Sequence, residues 1–113
     1  MRAAVFHKAG QPLSIETVAD PRPAAGEVVL QVARAGICGS DLHMTEYPDV
    51  MPPGLIMGHE FAGTIVALGD DVGGPWRSGQ RVTALPLHVC HHCEACAGSH
   101  HALCPSVVFA GTS

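Results

Sequence analysis

The sequence predicts a mainly β domain, a barrel or a sandwich built from short strands. Short apolar or alternating stretches recur along the chain, and 13 glycines and 9 prolines separate them at close intervals. Frequent turn residues between short strands are typical of barrels and sandwiches. Helix signals are few. The best of them is the stretch 40–44, where Ser40 or Asp41 could cap one short helix.

The strands are expected in apolar or alternating segments that end at turn residues. In the second of them, Leu13, Ile15 and Thr17 alternate with Ser14 and Glu16, which is the pattern of a half-buried strand. The third is rich in valine, and the fifth ends at a proline. In chain order, the expected strands cover residues 3–6, 13–17, 27–37, 61–68 and 81–85.

Length and charge narrow the class of protein. The 113 residues are enough for one domain, 1–113, and 47% apolar with 14% charged residues is typical of a globular fold. A net charge of -4 without a basic run argues against a nucleic-acid partner. No apolar run could span a bilayer, and the first residues lack the apolar core of a signal peptide. We therefore expect a cytoplasmic protein without a membrane partner, in a compartment where clustered cysteines are more often metal ligands than disulfides.

The most informative feature is a cluster of four cysteines with the spacing C-x2-C-x2-C-x7-C, named here the cysteine cluster. Four thiolates leave no open position on a tetrahedral metal ion, which is typical of structural zinc. The surrounding lobe, about residues 88–105, is polar, with little apolar core beyond Leu103. Buried free thiols and an iron–sulfur cluster are the alternatives, although the last gap is longer than in bacterial ferredoxins. The members of the cysteine cluster are Cys90, Cys93, Cys96 and Cys104.

A second group of candidate ligands lies upstream. Cys38, His59 and Glu60 offer a thiolate, an imidazole and a carboxylate, and they are named here the upstream site. Three protein ligands leave a position for water or substrate, as in catalytic zinc sites. Cys38 alone would more often be a packed core residue, and its neighbours Ser40 and His43 strengthen the interpretation as a reactive site.

These motifs resemble a known family. The run Gly58-His59-Glu60-x2-Gly63-x5-Gly69-x2-Val72 resembles the zinc alcohol dehydrogenase signature of the medium-chain dehydrogenase/reductase family. The segment 36–43 resembles the catalytic-zinc loop of that family, and the cysteine cluster is similar to its structural-zinc loop. One departure is His91-His92 between the first two cysteines, where the family usually has a small residue.

The resemblance implies a GroES-like, partly open β-barrel with a protruding structural-zinc lobe. It implies oxidation of a small-molecule alcohol to an aldehyde or ketone, with NAD or NADP as hydride acceptor and two zinc ions, one catalytic and one structural. Cys38 and His59 would bind the catalytic zinc, Ser40 would take the alcohol proton, and His43 would pass it to solvent. The third ligand is Glu60 in polyol-dehydrogenase-like members; in others it is a much later residue, and the glutamate at the position of Glu60 sits behind the metal and tunes it. Asp41 would orient one of the zinc ligands without binding the zinc itself.

The family also carries a Rossmann domain with a G-x-G-x-x-G turn, and no G-x-G occurs in this sequence. We therefore expect the N-terminal part of a catalytic domain, which by itself neither binds NAD nor oxidises alcohols. A non-enzymatic, stand-alone zinc-binding GroES-like module is the alternative.

Apolar surface left uncovered favours a homo-oligomer. The histidines of the lobe could form a metal patch, but a solvated surface is the simpler interpretation. These are His88, His91, His92, His100 and His101.

Overall fold

The computed structural model describes residues 1–111, so the last two residues of the expected domain lie outside the described part. Strands dominate, and the two α-helices are short. In chain order the elements are β1 (Arg2–Phe6), β2 (Ser14–Thr17), β3 (Val28–Ala35), α1 (Gly39–Glu46), β4 (Leu55–Ile56), β5 (Phe61–Leu68), β6 (Arg81–Thr83), β7 (Leu87–His88), α2 (Glu94–Ala97), a 3-10 turn (His101–Leu103) and β8 (Val108–Phe109).

The strands form three antiparallel sheets. Their orders are β2-β1-β4, β3-β5-β6 and β7-β8. Among the described residues no sheet closes on itself, so the barrel is partial. The predicted mainly β, partly open architecture is confirmed.

The pairing of β3 with β5 positions the upstream site. The two strands run antiparallel from Val28 opposite Leu68 to Ala35 opposite Phe61. The chain therefore leaves β3 and enters β5 at the same end of the sheet. Just beyond that end, the Gly36 N–H donates to the Glu60 carbonyl at 2.7 Å. This geometry brings together two sequence motifs that lie far apart along the chain.

The apolar core is small. Phe6, Met51 and Leu55 form one buried cluster, against which Met44 and Met57 pack. In the other sheet, Ile65 of β5 is 1% exposed. Many large apolar side chains remain at the surface of the described residues, including Ile15, Val32, Ile37, Leu42, Leu85 and Leu103.

Two strand expectations need correction. In β2 the alternation is present, but Ser14 and Glu16 are the half-buried side chains and Ile15 is 68% exposed. Polar partners explain this orientation, because the Ser14 hydroxyl and His7 both contact the Glu16 carboxylate. The fifth expected strand ends at Thr83, before Leu85, which is 71% exposed.

Two further expectations were wrong in detail. The N-cap of α1 is Cys38, and neither Ser40 nor Asp41 occupies that position. Asp41 is instead the third helical residue, and its carboxylate accepts the backbone N–H of Cys38. In the lobe, Leu103 is 74% exposed, so it is not the apolar core. That core consists of Val89 with the sulfur-bearing side chains of two cysteines.

Within residues 1–111, no helix is both long enough and apolar enough to cross a membrane.

Candidate metal centres

The three residues of the upstream site meet at one point. One ligand atom from each of Cys38, His59 and Glu60 lies within 4.8 Å of the others. Cys38 is held at the start of α1, whereas His59 and Glu60 directly precede β5. Their convergence follows from the shared end of β3 and β5. A thiolate, an imidazole and a carboxylate at this spacing could hold a zinc ion and leave a position open.

Asp41 joins the two halves of the upstream site. Its Oδ2 accepts the backbone N–H of Cys38 at 2.9 Å, which completes a capping box at the start of α1. Its Oδ1 lies 3.2 Å from His59 Nδ1. Because Nδ1 faces the carboxylate, Nε2 is the ring nitrogen left to bind a metal.

Neighbouring groups favour the ionised form of the Cys38 thiol. The side-chain hydroxyl and then the backbone N–H of Ser40 lower the pKa of Cys38, and a hydrogen bond with His59 lowers it further. In turn, the hydrogen bond with Cys38 raises the pKa of His59 above its ordinary value, with a smaller contribution from Asp41. A thiolate is the form of cysteine that binds metals, so the local chemistry suits a metal ligand.

The two residues expected to move a proton lie on α1. The side chain of Ser40 contacts the Cys38 sulfur through a hydrogen bond. His43 is exposed and follows Ser40 by three positions, which places both on one face of the helix. The structure thus brings Ser40 to the upstream site, and His43 lies one helical turn further along α1.

Gly36 makes room for the Glu60 carboxylate. A Cβ at Gly36 would clash with Glu60 Oε2 and would lie 3.1 Å from Glu60 Cβ. Beside this contact, a cleft of about 650 Å³ is lined by His59 and Glu60 together with Arg34, Thr83 and Pro86. The cleft therefore borders two of the three residues of the upstream site.

The backbone before His59 also touches the far end of the described chain. Gly111 has φ 75°, and a Cβ there would lie 2.7 Å from the backbone N of Gly58. Just before it, the Ala110 N–H donates to the Pro86 carbonyl at 3.0 Å. The segment that leaves the lobe therefore packs directly against the turn that carries His59.

The cysteine cluster also converges. One sulfur from each of its four members lies within 4.8 Å of the others, and Cys90 Sγ is 3.9 Å from Cys96 Sγ and 3.6 Å from Cys104 Sγ. Zn–S bonds of about 2.3 Å in a tetrahedron put sulfurs about 3.8 Å apart. The donors and their spacing therefore fit one zinc ion. Among the described residues, all five cysteines are free of disulfides.

Backbone amides stabilise thiolate in part of the cluster. The N–H groups of His92 and then Cys93 lower the pKa of Cys90 to about 6. Burial, followed by hydrogen bonding with Cys93, raises the pKa of Cys96 to about 12. A metal ion would have to displace the proton of the Cys96 thiol, because metals bind the deprotonated form.

Sequence reasoning predicted that Asp41 orients a ligand, but it missed the contact of Asp41 with the Cys38 N–H at the helix start and the need for glycine at positions 36 and 111. A signal for the first was present, since the spacing from Cys38 to Asp41 is that of a capping box. No local pattern signals the contact of Gly111 with Gly58, because it joins distant parts of the chain.

Comparisons with known proteins show what the chain is similar to. The family model for the alcohol dehydrogenase GroES-like domain matches residues 24–112. The whole chain is 38% identical to an L-threonine 3-dehydrogenase of Stenotrophomonas maltophilia (strain K279a) and 41% identical to an alcohol dehydrogenase of Moraxella sp. (strain TAE123). In both cases it spans 34% of the relative's length. The solved alcohol dehydrogenase TADH from Thermus sp. ATN1 superimposes with a TM-score of 0.88 at 32% identity, covering 100% of this chain and 32% of that one.

Proposed function

The chain belongs to the alcohol dehydrogenase GroES-like domain family, and from that membership we propose that it forms the zinc- and substrate-binding part of a dehydrogenase that oxidises an alcohol or polyol. The observation that carries the proposal is the convergence of Cys38, His59 and Glu60 beside an open cleft. The relatives named above are dehydrogenases of alcohols or of threonine, and the product class is accordingly an aldehyde or a ketone.

In this proposal the upstream site holds the catalytic zinc, with Cys38, His59 and Glu60 as its ligands. A zinc ion there would supply Lewis acidity toward a substrate hydroxyl. Asp41 holds Nδ1 of the His59 ring, so that Nε2 would be the nitrogen available to the ion. Gly36 leaves the space that the Glu60 carboxylate occupies.

Proton removal falls to residues of α1. Ser40 accepts the proton of the substrate hydroxyl and His43 delivers it to solvent, since Ser40 contacts the site and His43 is exposed on the same helix face. Ordered transfer through side chains lets the reacting centre exclude bulk water.

The cysteine cluster holds the structural zinc in this proposal. Four thiolates fill the tetrahedron, so the ion supports the lobe and takes no part in the reaction. The hydride acceptor is NAD or NADP, bound by residues beyond this stretch, because the 113 residues contain no glycine-rich dinucleotide turn. Self-association through the exposed apolar side chains of β3 and its neighbours completes the proposal.

Metal analysis of purified variants tests the assignment. We expect two zinc ions per wild-type chain, one in Cys38→Ser and one in Cys93→Ser. Iron with sulfide-to-iron absorption in the cysteine cluster would overturn the structural-zinc assignment. Retention of both ions in Cys38→Ser would overturn the upstream site.

A second measurement separates the enzyme from a non-enzymatic zinc-binding module. Cobalt placed in the upstream site reports its coordination through visible absorption bands. If the site has an open position for substrate, primary alcohols and polyols should shift those bands in wild-type protein and not in Cys38→Ser. Bands that no alcohol shifts would favour the module. Saturable NAD binding by residues 1–113 would contradict the placement of the cofactor elsewhere.

A further inference from the structure

Two histidines of the lobe make an edge-type ring contact outside the cysteine cluster. The ring centroids of His91 and His101 are 6.0 Å apart and their planes are inclined by 76°. His91 directly follows Cys90, and His101 begins the 3-10 turn that leads to Cys104. Neither imidazole belongs to the two groups of candidate ligands described above.

The backbone at His91 is in an unusual conformation for a residue with a side chain. Its φ is 60°, in the left-handed region that glycine adopts most easily. The turn explains the backbone, because it directs the His91 N–H at the Cys96 sulfur and the His92 N–H at the Cys90 sulfur. A glycine would serve that turn with less strain, so the turn does not explain the imidazole.

The separation of the rings fits a shared metal ion. Metal–nitrogen bonds of about 2.0–2.1 Å place two ring centroids on one ion about 4.5–6.4 Å apart, as the nitrogen–metal–nitrogen angle opens from about 90° to about 180°. The observed 6.0 Å lies in that range. We propose that His91 and His101 form a second, exchangeable site for a divalent transition-metal ion, with water completing its coordination shell.

The charge of the lobe favours a cation at this position. From residue 85 to the end of the sequence, Glu94 is the only Asp, Glu, Lys or Arg. This part of the argument rests on the proposed function, since a zinc ion with four thiolates carries a net charge of -2. A second cation beside that centre is attracted to it, and no neighbouring lysine or arginine in this stretch opposes it.

Imidazole ligands indicate which ions would bind. They suit nickel, copper and zinc, and the affinity of such sites for nickel exceeds that for cobalt or manganese. Two adjacent histidines provide matched controls. His92 directly follows His91, and its Nδ1 lies 2.7 Å from the Cys90 carbonyl oxygen. His100 directly precedes His101.

Titration of tag-free, zinc-loaded protein with Ni²⁺ in a calorimeter tests the proposal. We expect one saturable site, at least tenfold weaker in His91→Gln and in His101→Gln, and within twofold of wild type in His92→Gln and His100→Gln. His91→Phe keeps an aromatic ring in contact with His101 and should lose the site as well. Absence of saturable binding, or equal losses in the control variants, would refute the pair as a metal site.

Zinc content measured in the same samples keeps the two proposals apart. The cysteine cluster should retain its zinc in every histidine variant. If the zinc is retained and nickel does not bind, only the histidine site is wrong. If the wild-type cluster holds no zinc, the structural-zinc part of the proposed function fails, and the same titrations still show whether the histidine pair binds nickel.

Discussion

Asp41 and His59 face each other across the upstream site, with carboxylate Oδ1 3.2 Å from ring Nδ1 and both side chains 14% exposed. The other oxygen of Asp41 accepts the Cys38 N–H. One carboxylate therefore fixes both the helix start that carries one candidate ligand and the ring orientation of another.

Replacing Asp41 by Asn should weaken metal binding at the upstream site. The amide can still accept the Cys38 N–H, but it loses the charge that faces His59. We expect zinc affinity there to fall by about 10–100-fold, as measured by chelator competition in a Cys93→Ser background. Glu46→Gln, at the exposed end of the same helix, is the control. Unchanged affinity in Asp41→Asn would show that the contact does not position the ring.

Gly36→Ala should displace the Glu60 carboxylate. The added Cβ collides with Oε2, the mobile end of the Glu60 side chain, so the fold should tolerate the change better than the metal site does. Zinc affinity at the upstream site should drop to about that of Glu60→Gln, while the thermal midpoint changes little. If Glu60→Gln binds zinc as tightly as wild type, the third ligand lies elsewhere.

Cys93→Ser should loosen the lobe and spare the barrel. Apart from two of its own cysteines, the buried part of the lobe is Val89 alone, so a metal ion would supply much of its stability. Hydrogen exchange should accelerate across residues 88–105 and remain unchanged in β3 and β5. Cys38→Ser, which removes a ligand of the other centre, should leave the lobe protected. A protected lobe in Cys93→Ser would contradict the prediction.

Gly63→Ala should destabilise the sheet of β3, β5 and β6. A Cβ at Gly63 would collide with the Gln31 carbonyl oxygen and lie 3.1 Å from Val32 Cα. Backbone atoms cannot move aside as a flexible side chain can, so we expect a loss of about 1–3 kcal/mol in the free energy of unfolding. Gly73→Ala, where no atom lies within 4 Å of an added Cβ, should stay within about 0.5 kcal/mol. Urea denaturation compares the two.

The contact of His7 with Glu16 should give a small pH-dependent stabilisation. Hydrogen bonds from His7 and then Ser14 lower the pKa of Glu16 below its ordinary 4.5. A depressed pKa in the folded state means that the contribution is fully present above pH 4.5 and is lost as the pH falls through the folded value. The urea midpoint of Glu16→Gln should therefore lie slightly below that of wild type at pH 6 and converge with it at pH 3. A constant gap would exclude titration of Glu16 as the cause.

Local patterns predicted the strands best where the chain is regular. The strand 61–68 has the bounds expected from its apolar run and the turn residues after it. The two-residue strands β4, β7 and β8 were missed because so short a segment has no periodicity to detect.

Side-chain burial was harder to predict than strand position. Ile15 points outward because its edge strand turns its polar side chains toward His7, and sequence alternation does not specify which face is covered. For the upstream site, the sequence indicated which residue types act together. The helix cap at Cys38 and the space at Gly36 depend on contacts between segments that only the fold supplies.

The packing of Gly111 against Gly58 has a thermodynamic consequence for the two metal centres. The chain from the cysteine cluster runs through β8 to Gly111, which packs against the turn that carries His59. If metal in the lobe makes that segment more rigid, the turn that carries His59 is already partly ordered, so zinc binding at the upstream site costs less conformational entropy. By linkage, zinc in the upstream site must then favour zinc in the lobe by the same factor.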